Sequence, residues 1–281
     1  MTKIHIVTDS TCDLSQEELD RLGVYVVPLT IQIDGKTYID RVDVQPEMFM
    51  DLLENSKELP KSSQPAPGVF KELYDKLGAN GDKVVSIHMT GGMSGTVQSA
   101  RQAADMTDTE VAVVDSRYIA WGLGFQVREA CRLRDEGATV EQIVERCDQV
   151  RQGTRLFVTF DKLDNMVKGG RIGKAKGMVG SLLNIKPVSD LDTGEINANP
   201  KKFRKHKQIT EYLFNEYKKD TAGKTVKMVG MSHVNAWDTH VAPLMKLIEE
   251  TGFTNIDIAF TSPIISTHTG SPALGFIYFA E

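Results

Sequence analysis

The chain has 281 residues, enough for a large hydrophobic core and long enough that two domains are expected. Its content of 41% hydrophobic and 25% charged residues is typical of folded globular proteins and excludes disordered and fibrous classes. The chain has a net charge of −5 and so lacks the excess of basic residues that is typical of nucleic-acid-binding proteins. Nucleic acid is therefore not expected as a partner.

Cysteine usage and hydropathy indicate the compartment. Cys12, Cys131 and Cys147 are widely spaced and odd in number, which suits a reducing environment, and we expect them to be buried or helical thiols. The chain reaches Asp9 and Asp13 before any apolar run long enough for a signal sequence, and no later run has the length of a membrane span. We predict a soluble, cytoplasmic protein. The histidines and cysteines lack ligand spacing, so no metal site or cofactor is expected.

Strand and helix signals alternate through the first part of the chain. Strands are predicted at 4–8, 24–33, 36–39, 83–89 and 110–114, and helices at 15–23, 46–56 and 96–104. A further helical segment follows the last of these strands and ends at 136, and another helix begins at 139. Asp34-Gly35 predicts a hairpin that interrupts this alternation. Three prolines in residues 59–67 predict an extended, stiff polar loop that can act as a clamp.

From Thr154 onward, hairpins and helices are mixed, which predicts α+β packing. Strands are predicted at 154–159, 185–190, 195–199, 226–233, 256–260 and 274–279, with helical segments at 178–183, 207–217 and 237–250. The predicted fold class is therefore α/β with two lobes. Residues 1–153 form an N-terminal α/β domain with a hairpin excursion, residues 154–281 form a C-terminal α+β domain, and a ligand binds between them.

A glycine-rich turn separates the strand that ends at Met89 from the helix that follows. Its sequence, Thr90-Gly91-Gly92-Met93-Ser94-Gly95-Thr96, leaves helix N–H groups unpaired at one spot, which favours an anion. The alternative is that Ser94 or Thr96 only caps the helix. Thr8-Asp9-Ser10 and Asp115-Ser116 end neighbouring strands, so we expect them to gather with Thr90 at the carboxyl edge of one sheet, or else to cap the next helices.

Further polar and apolar groups favour a ligand with an acidic head and an apolar tail. Hydrogen-bond donors and one bidentate cation are supplied by Ser62, Ser63, Ser94, His268, Thr269 and Arg171. The apolar residues nearest to them in sequence are Met93, Met178, Val179, Leu182, Leu183, Ile264 and Ile265. The alternatives are that the apolar set is ordinary core and that His268 is a structural histidine.

Seven motifs in order and spacing resemble the DegV family across nearly the whole chain. They are Thr8-Asp9-Ser10-Thr11 with Asp13-Leu14, Ser62-Ser63-Gln64-Pro65, Ser94-Gly95-Thr96 with Gln98-Ser99-Ala100, Val114-Asp115-Ser116, Gly169-Gly170-Arg171-Ile172, Leu183-Asn184-Ile185-Lys186-Pro187 and His268-Thr269-Gly270. The resemblance implies a two-domain carrier, not itself an enzyme, that binds a long-chain fatty acid such as palmitate. Some members are the FakB subunit of bacterial fatty acid kinase, whose FakA subunit uses ATP to make an acyl phosphate for phospholipid synthesis. A FakA-like partner and transient membrane contact are implied here.

The resemblance also implies a set of carboxylate-binding residues. Its two hydroxyl contacts correspond to Ser62 and Ser94, and its nearby basic positions to His268 and Arg171, with Ser63 and Gly95 alongside. This chain departs from the family pattern where Ser62 replaces threonine, where Ser271-Pro272 follows the His-Thr-Gly motif, and where Val97 replaces a common tyrosine.

A serine hydrolase is the rival interpretation from the residues. Ser94 follows a strand and precedes a helix, as a nucleophile elbow does, and His268 comes late in the chain. However, Gly92-Met93-Ser94-Gly95-Thr96 is not G-x-S-x-G, because the second glycine comes one position early. A P-loop kinase is less favoured, since Gly173-Lys174 lacks the required spacing.

Overall fold

The computed structural model describes residues 2–173, 185–191 and 194–281. Strands of the N-terminal half are β1 (Ile4–Asp9), β2 (Val24–Val27), β3 (Thr30–Ile33), β4 (Lys36–Ile39), β5 (Lys61–Ser63), β6 (Lys83–His88) and β7 (Val111–Asp115). Its helices are α1 (Gln16–Leu22), α2 (Pro46–Asn55), α3 (Pro67–Gly78), α4 (Thr96–Ala104), α5 (Ala120–Asp135) and α6 (Val140–Gly153). A parallel sheet has the order β2-β1-β6-β7, and an antiparallel sheet has the order β4-β3-β5.

Local signals explain these elements. The Ser15 hydroxyl accepts from the Glu18 N–H at the start of α1, and Thr139 with Gln142 forms a capping box at the start of α6. Asp34 and Gly35 both have positive φ, as the predicted tight hairpin between β3 and β4 requires. The proline-rich loop is extended as predicted, but it also contributes β5, which pairs with β3 and so fixes the position of Ser62.

The C-terminal half is built around a mixed sheet. Its strands are β8 (Thr154–Phe160), β9 (Val188–Asp190), β10 (Asn197–Ala198), β11 (Val226–Val234), β12 (Ile256–Phe260) and β13 (Ala273–Ala280). Its helices are α7 (Asp164–Lys168), α8 (His206–Thr221), α9 (Ala242–Glu249) and α10 (Pro263–Thr269). The sheet order is β10-β9-β8-β13-β11-β12, with every pairing antiparallel except β11 with β12.

Three sequence predictions for this half need comment. The helix expected at 237–250 begins with a π-helical turn over Trp237–Val241 and continues as α9. Residues 263–269, for which the sequence pattern predicts no helix, form α10. The segment expected to be helical at 178–183 lies outside the described residues.

Helix α5 lies between the two main sheets. It contacts β1 and β6 on one side and β8, β11 and β13 on the other, so most of its residues are buried. The indole of Trp121 lies against Gly230 of β11, where an added Cβ would be 2.6 Å from the ring. One hydrophobic cluster consequently includes residues from both halves. The division into 1–153 and 154–281 stays a prediction.

All three cysteines are buried and unpaired by disulfides, as predicted, and Cys131 and Cys147 lie in helices. Within the described residues, no helix is both long enough and apolar enough to cross a membrane.

Candidate functional site

A cavity of about 300 Å³ lies between the two halves of the chain. Its wall brings together five of the six predicted site residues: Ser62, Ser63, Ser94, Arg171 and His268. Gln64 and Thr269 complete the polar part, and the apolar part consists of Leu29, Met89, Met93, Ile119, Val158, Phe160, Met166, Ile196, Ile264 and Ile265. The volume falls in the range of small-molecule pockets.

Ser62 and His268 form one polar pair of the wall. The Ser62 Oγ lies 2.8 Å from His268 Nε2, joining β5 to α10. Burial, with a smaller effect from the nearby Arg171 charge, lowers the pKa of His268 to about 4. The ring is therefore neutral at pH 7. Its Nδ1 has no hydrogen-bond partner within the described residues.

Gly169 permits the His268 ring to lie where it does. An added Cβ at this glycine would be only 2.4 Å from His268 Nδ1. Real Cβ contacts are essentially never this short, so a side chain here would displace the ring. The close approach gives a physical reason for a glycine immediately after α7.

Ser94 lies in the turn that leads into α4. Its Oγ accepts from the Thr96 N–H at 3.3 Å and lies 2.9 Å from the Thr96 hydroxyl. The residue at the cap position is Gly95, which has no capping side chain. Neither Ser94 nor Thr96 therefore occupies the N-cap position, although the Ser94 hydroxyl does accept from a first-turn N–H of α4, and Ser94 also lies in the cavity wall.

Gly95 is the one predicted site residue that the structure does not place in the cavity wall. An added Cβ at Gly95 would lie 2.1 Å from Gln64 Oε1. The Gln64 amide donates to the Ser99 hydroxyl at 3.0 Å. Gly95 thus allows the Gln64 side chain to pack over the start of α4, and Gln64 itself reaches the wall.

The polar residues at the carboxyl edge of the parallel sheet gather as predicted, but they support the glycine-rich turn instead of lining the cavity. The Asp9 carboxylate accepts from the Met89 N–H at 2.8 Å, from the Thr11 N–H and hydroxyl at 3.1 and 2.6 Å, and pairs with His88 Nδ1 at 3.1 Å. Burial alone would raise the pKa of Asp9, but these hydrogen bonds and the His88 interaction lower it overall. Asp115 accepts from the Gly91 N–H.

Arg171 links the two halves beside the polar pair. Its Nε donates to the Met93 carbonyl at 3.3 Å, and its Nη1 donates to the Gly169 carbonyl at 2.7 Å. The Nε–H is thereby taken from the Nε/Nη2 edge that a side-on bidentate contact with a carboxylate would use, and Nη1 has one of its two protons engaged. In the structure described, Arg171 therefore supplies positive charge next to Ser94 and His268 more readily than the expected two-pronged contact.

Among the predicted tail-binding residues, Met93, Ile264 and Ile265 lie in the wall, whereas Met178, Val179, Leu182 and Leu183 are outside the described residues. Sequence reasoning missed wall residues on strands and loops of both halves. Successive side chains of a strand point to opposite faces, so Val158 and Phe160 lie on the same face of β8. That pattern was a usable signal, but it does not show which face meets the cavity.

The arrangement expected for a serine hydrolase is not present between Ser94 and His268. The described hydrogen bond of the His268 ring goes to Ser62, and that of the Ser94 hydroxyl goes to Thr96. Within the described ranges, no carboxylate orients His268 Nδ1. No group of three or more potential metal-binding side chains occurs in the same ranges.

The fold and cavity define a class: an α/β protein with two main sheets and a small third one, a largely apolar pocket between its halves, and a cluster of hydroxyl, imidazole and guanidinium groups in the pocket wall. The family model described as "Uncharacterised protein, DegV family" matches residues 3–281, and the chain belongs to the DegV family.

Relatives match over the full length. A DegV domain-containing protein of Listeria monocytogenes is 41% identical, with 100% of both chains covered. A fatty acid-binding DegV family protein from Thermus thermophilus has a TM-score of 0.93 at 32% identity, also with 100% of both chains covered. The Streptococcus pneumoniae fatty acid kinase (Fak) B3 protein, loaded with linoleic acid, has a TM-score of 0.85 at 26% identity and 100% coverage of both.

Proposed function

We propose that this chain binds a long-chain fatty acid, with the tail in the cavity and the carboxylate at Ser62, Ser94 and His268. The observation that carries the proposal is the geometry of this polar cluster, in which two serine hydroxyls and a neutral imidazole meet an otherwise largely apolar cavity. The fatty acid ligands of the Thermus and pneumococcal proteins support it.

One assignment of the shared protons leaves both serine hydroxyls free to donate to a carboxylate. When the Thr96 N–H and hydroxyl both donate to the Ser94 oxygen, the Ser94 proton can donate to the ligand. With the His268 proton on Nε2, that nitrogen donates to the Ser62 oxygen, and the Ser62 proton is likewise directed to the ligand. The positive charge of Arg171 lies beside them. Two charge-assisted donors thus define the head-group position.

The cavity and the polar cluster have different tasks. Burying a tail of about fifteen carbons at ~0.8 kcal/mol per methylene amounts to about 12 kcal/mol before association costs. Each hydrogen bond to a charged carboxylate adds only about 1.5–3 kcal/mol. The tail therefore sets affinity, and Ser62 and Ser94 mainly set orientation.

The oriented carboxylate is the reactive group that the protein presents to a fatty acid kinase partner. A carboxylate oxygen attacks the γ-phosphorus of the partner's ATP, the new C–O–P linkage forms, and ADP leaves. The chain itself supplies no catalytic group in this scheme and acts as a carrier for an acyl phosphate used in phospholipid synthesis. The pneumococcal protein, which is a fatty acid kinase B3 protein, supports a kinase as the partner class.

The direct test is mass spectrometry of the purified protein, first in native form and then after organic extraction. We expect a stoichiometric adduct that extracts as a free fatty acid and so reveals the tail. A protein that is empty and also fails to take up added palmitate would overturn the proposal. Labelling with a fluorophosphonate probe is expected to leave Ser62 and Ser94 unmodified, since labelling of either would favour the hydrolase.

Substitution of Ser94 tests the division of tasks. We expect Ser94→Ala to reduce acyl phosphate formation with a FakA-like kinase and ATP by about tenfold or more, while palmitate retention falls less, because the tail provides most of the affinity. The matched control is Ser56→Ala, since Ser56 is half-buried, lies outside the cavity wall, and donates its hydroxyl to the Leu53 carbonyl. A larger loss of retention than of phosphorylation would remove Ser94 from this role.

A further inference from the structure

Helix α10 is fastened at its amino end to the other half of the chain. Its residues Ile264, Ile265, His268 and Thr269 all lie in the cavity wall. The first helical residue is Pro263, which has no N–H to satisfy, and the Ile265 N–H donates to the Ser262 hydroxyl at 3.4 Å. The remaining donors at this end are the Ser262 and Ile264 N–H groups, and each faces a buried aspartate.

Asp13 faces the Ser262 N–H from the turn after β1. It is 3% exposed, and its Oδ1 accepts from the Thr261 hydroxyl at 3.1 Å. Its Oδ2 has no standard hydrogen bond within the described residues, although the Ser232 hydroxyl lies close. Burial dominates and raises the pKa of Asp13 to about 6.

Asp40 faces the Ile264 N–H from the end of the β3–β4 hairpin. It is 1% exposed, and neither of its oxygens makes a hydrogen bond of standard geometry in the described part of the chain. The Ser10 hydroxyl and the Ile264 N–H are nevertheless near enough to favour its charged form. Burial outweighs them and raises the pKa of Asp40 to about 7.

The charged and titratable neighbours of this pair come from few elements. Arg41 favours ionisation of both Asp13 and Asp40, and the Asp9 carboxylate opposes ionisation of Asp40. Cys12 is also near, but burial raises its pKa to about 12, so it stays neutral. On α10 itself the titratable group is His268, which loses its proton well below pH 6. Between pH 6 and 8, the titrating groups at this junction are therefore the two aspartates.

We infer that Asp13 and Asp40 are positioning residues, which hold α10 and thereby His268 against the N-terminal half more firmly when they are protonated than when they are ionised. The direction follows from linkage. If α10 separates from the pair, both carboxyls return to water, where an aspartate has a pKa of about 3.9. The packed state thus binds protons more tightly, so ionisation favours separation.

The consequence for the ligand depends on the proposed function. Helix α10 contributes four wall residues, so its separation would widen the opening on that side of the cavity and loosen the hold on a bound fatty acid. Release should therefore accelerate as pH rises through the range in which the pair ionises. With pKa values of about 7 and 6 in the packed state and about 3.9 in water, raising the pH from 5.5 to 8 shifts the equilibrium about thirtyfold through Asp40 and about fourfold through Asp13, so we expect release to be at least tenfold faster at pH 8.

The experiment measures transfer of carbon-14 palmitate from the loaded full-length protein to excess phosphatidylcholine vesicles between pH 5.5 and 8. Four proteins are compared: wild type, Asp40→Asn, Asp13→Asn and Asp51→Asn. Asparagine resembles the protonated carboxyl, so the first two variants should release slowly and with a flatter pH profile. Asp51 is exposed on α2, so Asp51→Asn should keep the wild-type profile.

The outcomes separate this inference from the proposed function. Failure of the wild type to take up palmitate overturns the proposed function. Uptake followed by a flat wild-type profile, or by Asn variants with the wild-type slope, overturns the inference alone. If a variant fails to fold, the wild-type profile still decides. Urea unfolding of the ligand-free proteins across the same pH range tests the pair independently, because the wild type must lose stability relative to Asp40→Asn as pH rises.

Discussion

Ser94 and His268 lie in the wall of the same cavity, but the segments that contain them pack against buried aspartates whose pKa values are shifted in opposite directions. Beneath the Ser94 turn, fully buried Asp9 accepts from backbone N–H groups and the Thr11 hydroxyl and pairs with His88, and its pKa is lowered. Beside the amino end of α10, Asp13 and Asp40 are equally buried but have few well-formed hydrogen bonds, and their pKa values are raised. Burial is common to all three, so the supply of donors decides the sign of the shift.

This contrast gives the two walls different properties. The Asp9 carboxylate stays charged across the physiological range, so the turn that holds Ser94 is fixed at any such pH. The α10 wall is held by groups that change protonation near neutral pH. We therefore expect the wall that contains Ser94 to be insensitive to pH and the wall formed by α10 to respond to it.

Removal of Asp9 should have the largest effect on this comparison. We expect Asp9→Ala to lower the free energy of unfolding by about 3–5 kcal/mol, because it strands buried donors of Met89, Thr11 and His88. Urea unfolding measures the change. The matched control is Asp82→Ala, since Asp82 also accepts from a backbone N–H and bonds a histidine, His5, but is only partly buried. Equal losses in the two variants would contradict a special role for Asp9.

Opposite pH slopes should appear in the stability of two further variants. The folded-state pKa of Asp40 is raised to about 7, so the wild type should lose stability relative to Asp40→Asn as pH rises from about 4 to 7. The folded-state pKa of His268 is lowered to about 4, so the wild type should lose stability relative to His268→Gln as pH falls from about 6.5 to 4.

At about 1.36 kcal/mol per pKa unit, the change in the free energy of unfolding over each window should be about 4 kcal/mol for Asp40 and about 3 kcal/mol for His268. Unfolding of the ligand-free proteins in urea at intervals of half a pH unit measures both. Slopes of the same sign would show that the two groups do not have the opposite shifts described here.

A smaller, local effect is expected from Gly169→Ala. The new methyl group would displace the His268 ring, weaken its bond to Ser62, and reduce palmitate affinity by about tenfold, the equivalent of one well-placed hydrogen bond. The control is Gly68→Ala, because an added Cβ at Gly68 meets no neighbour within 4 Å. Equilibrium binding of palmitate measures the effect, and unchanged affinity in Gly169→Ala would show that the ring has room to adjust.

Features determined by neighbouring residues could be predicted from the sequence. The caps at Ser15 and Thr139, the hairpin at Asp34-Gly35 and the strand before the glycine-rich turn all depend on interactions within a few positions. Helix α10 escaped prediction although Ser262, Pro263 and Gly270 are capping signals. Its residues are buried nearly all round, so the polar face that reveals an amphipathic helix is missing.

The chemistry of the site was readable in outline, because hydroxyl, imidazole and guanidinium groups in these motifs suit an acidic head group. The sequence alone determined which groups are available and that they follow strands or precede helices. Only the tertiary structure decided that Ser62 pairs with His268, 206 positions away, and that Gly95 makes room for the Gln64 side chain instead of lining the cavity. It also decided that the pKa values of Asp9 and Asp40 shift in opposite directions. Hydrogen bonding and desolvation depend on which groups meet in space, and long-range packing of the chain sets those meetings.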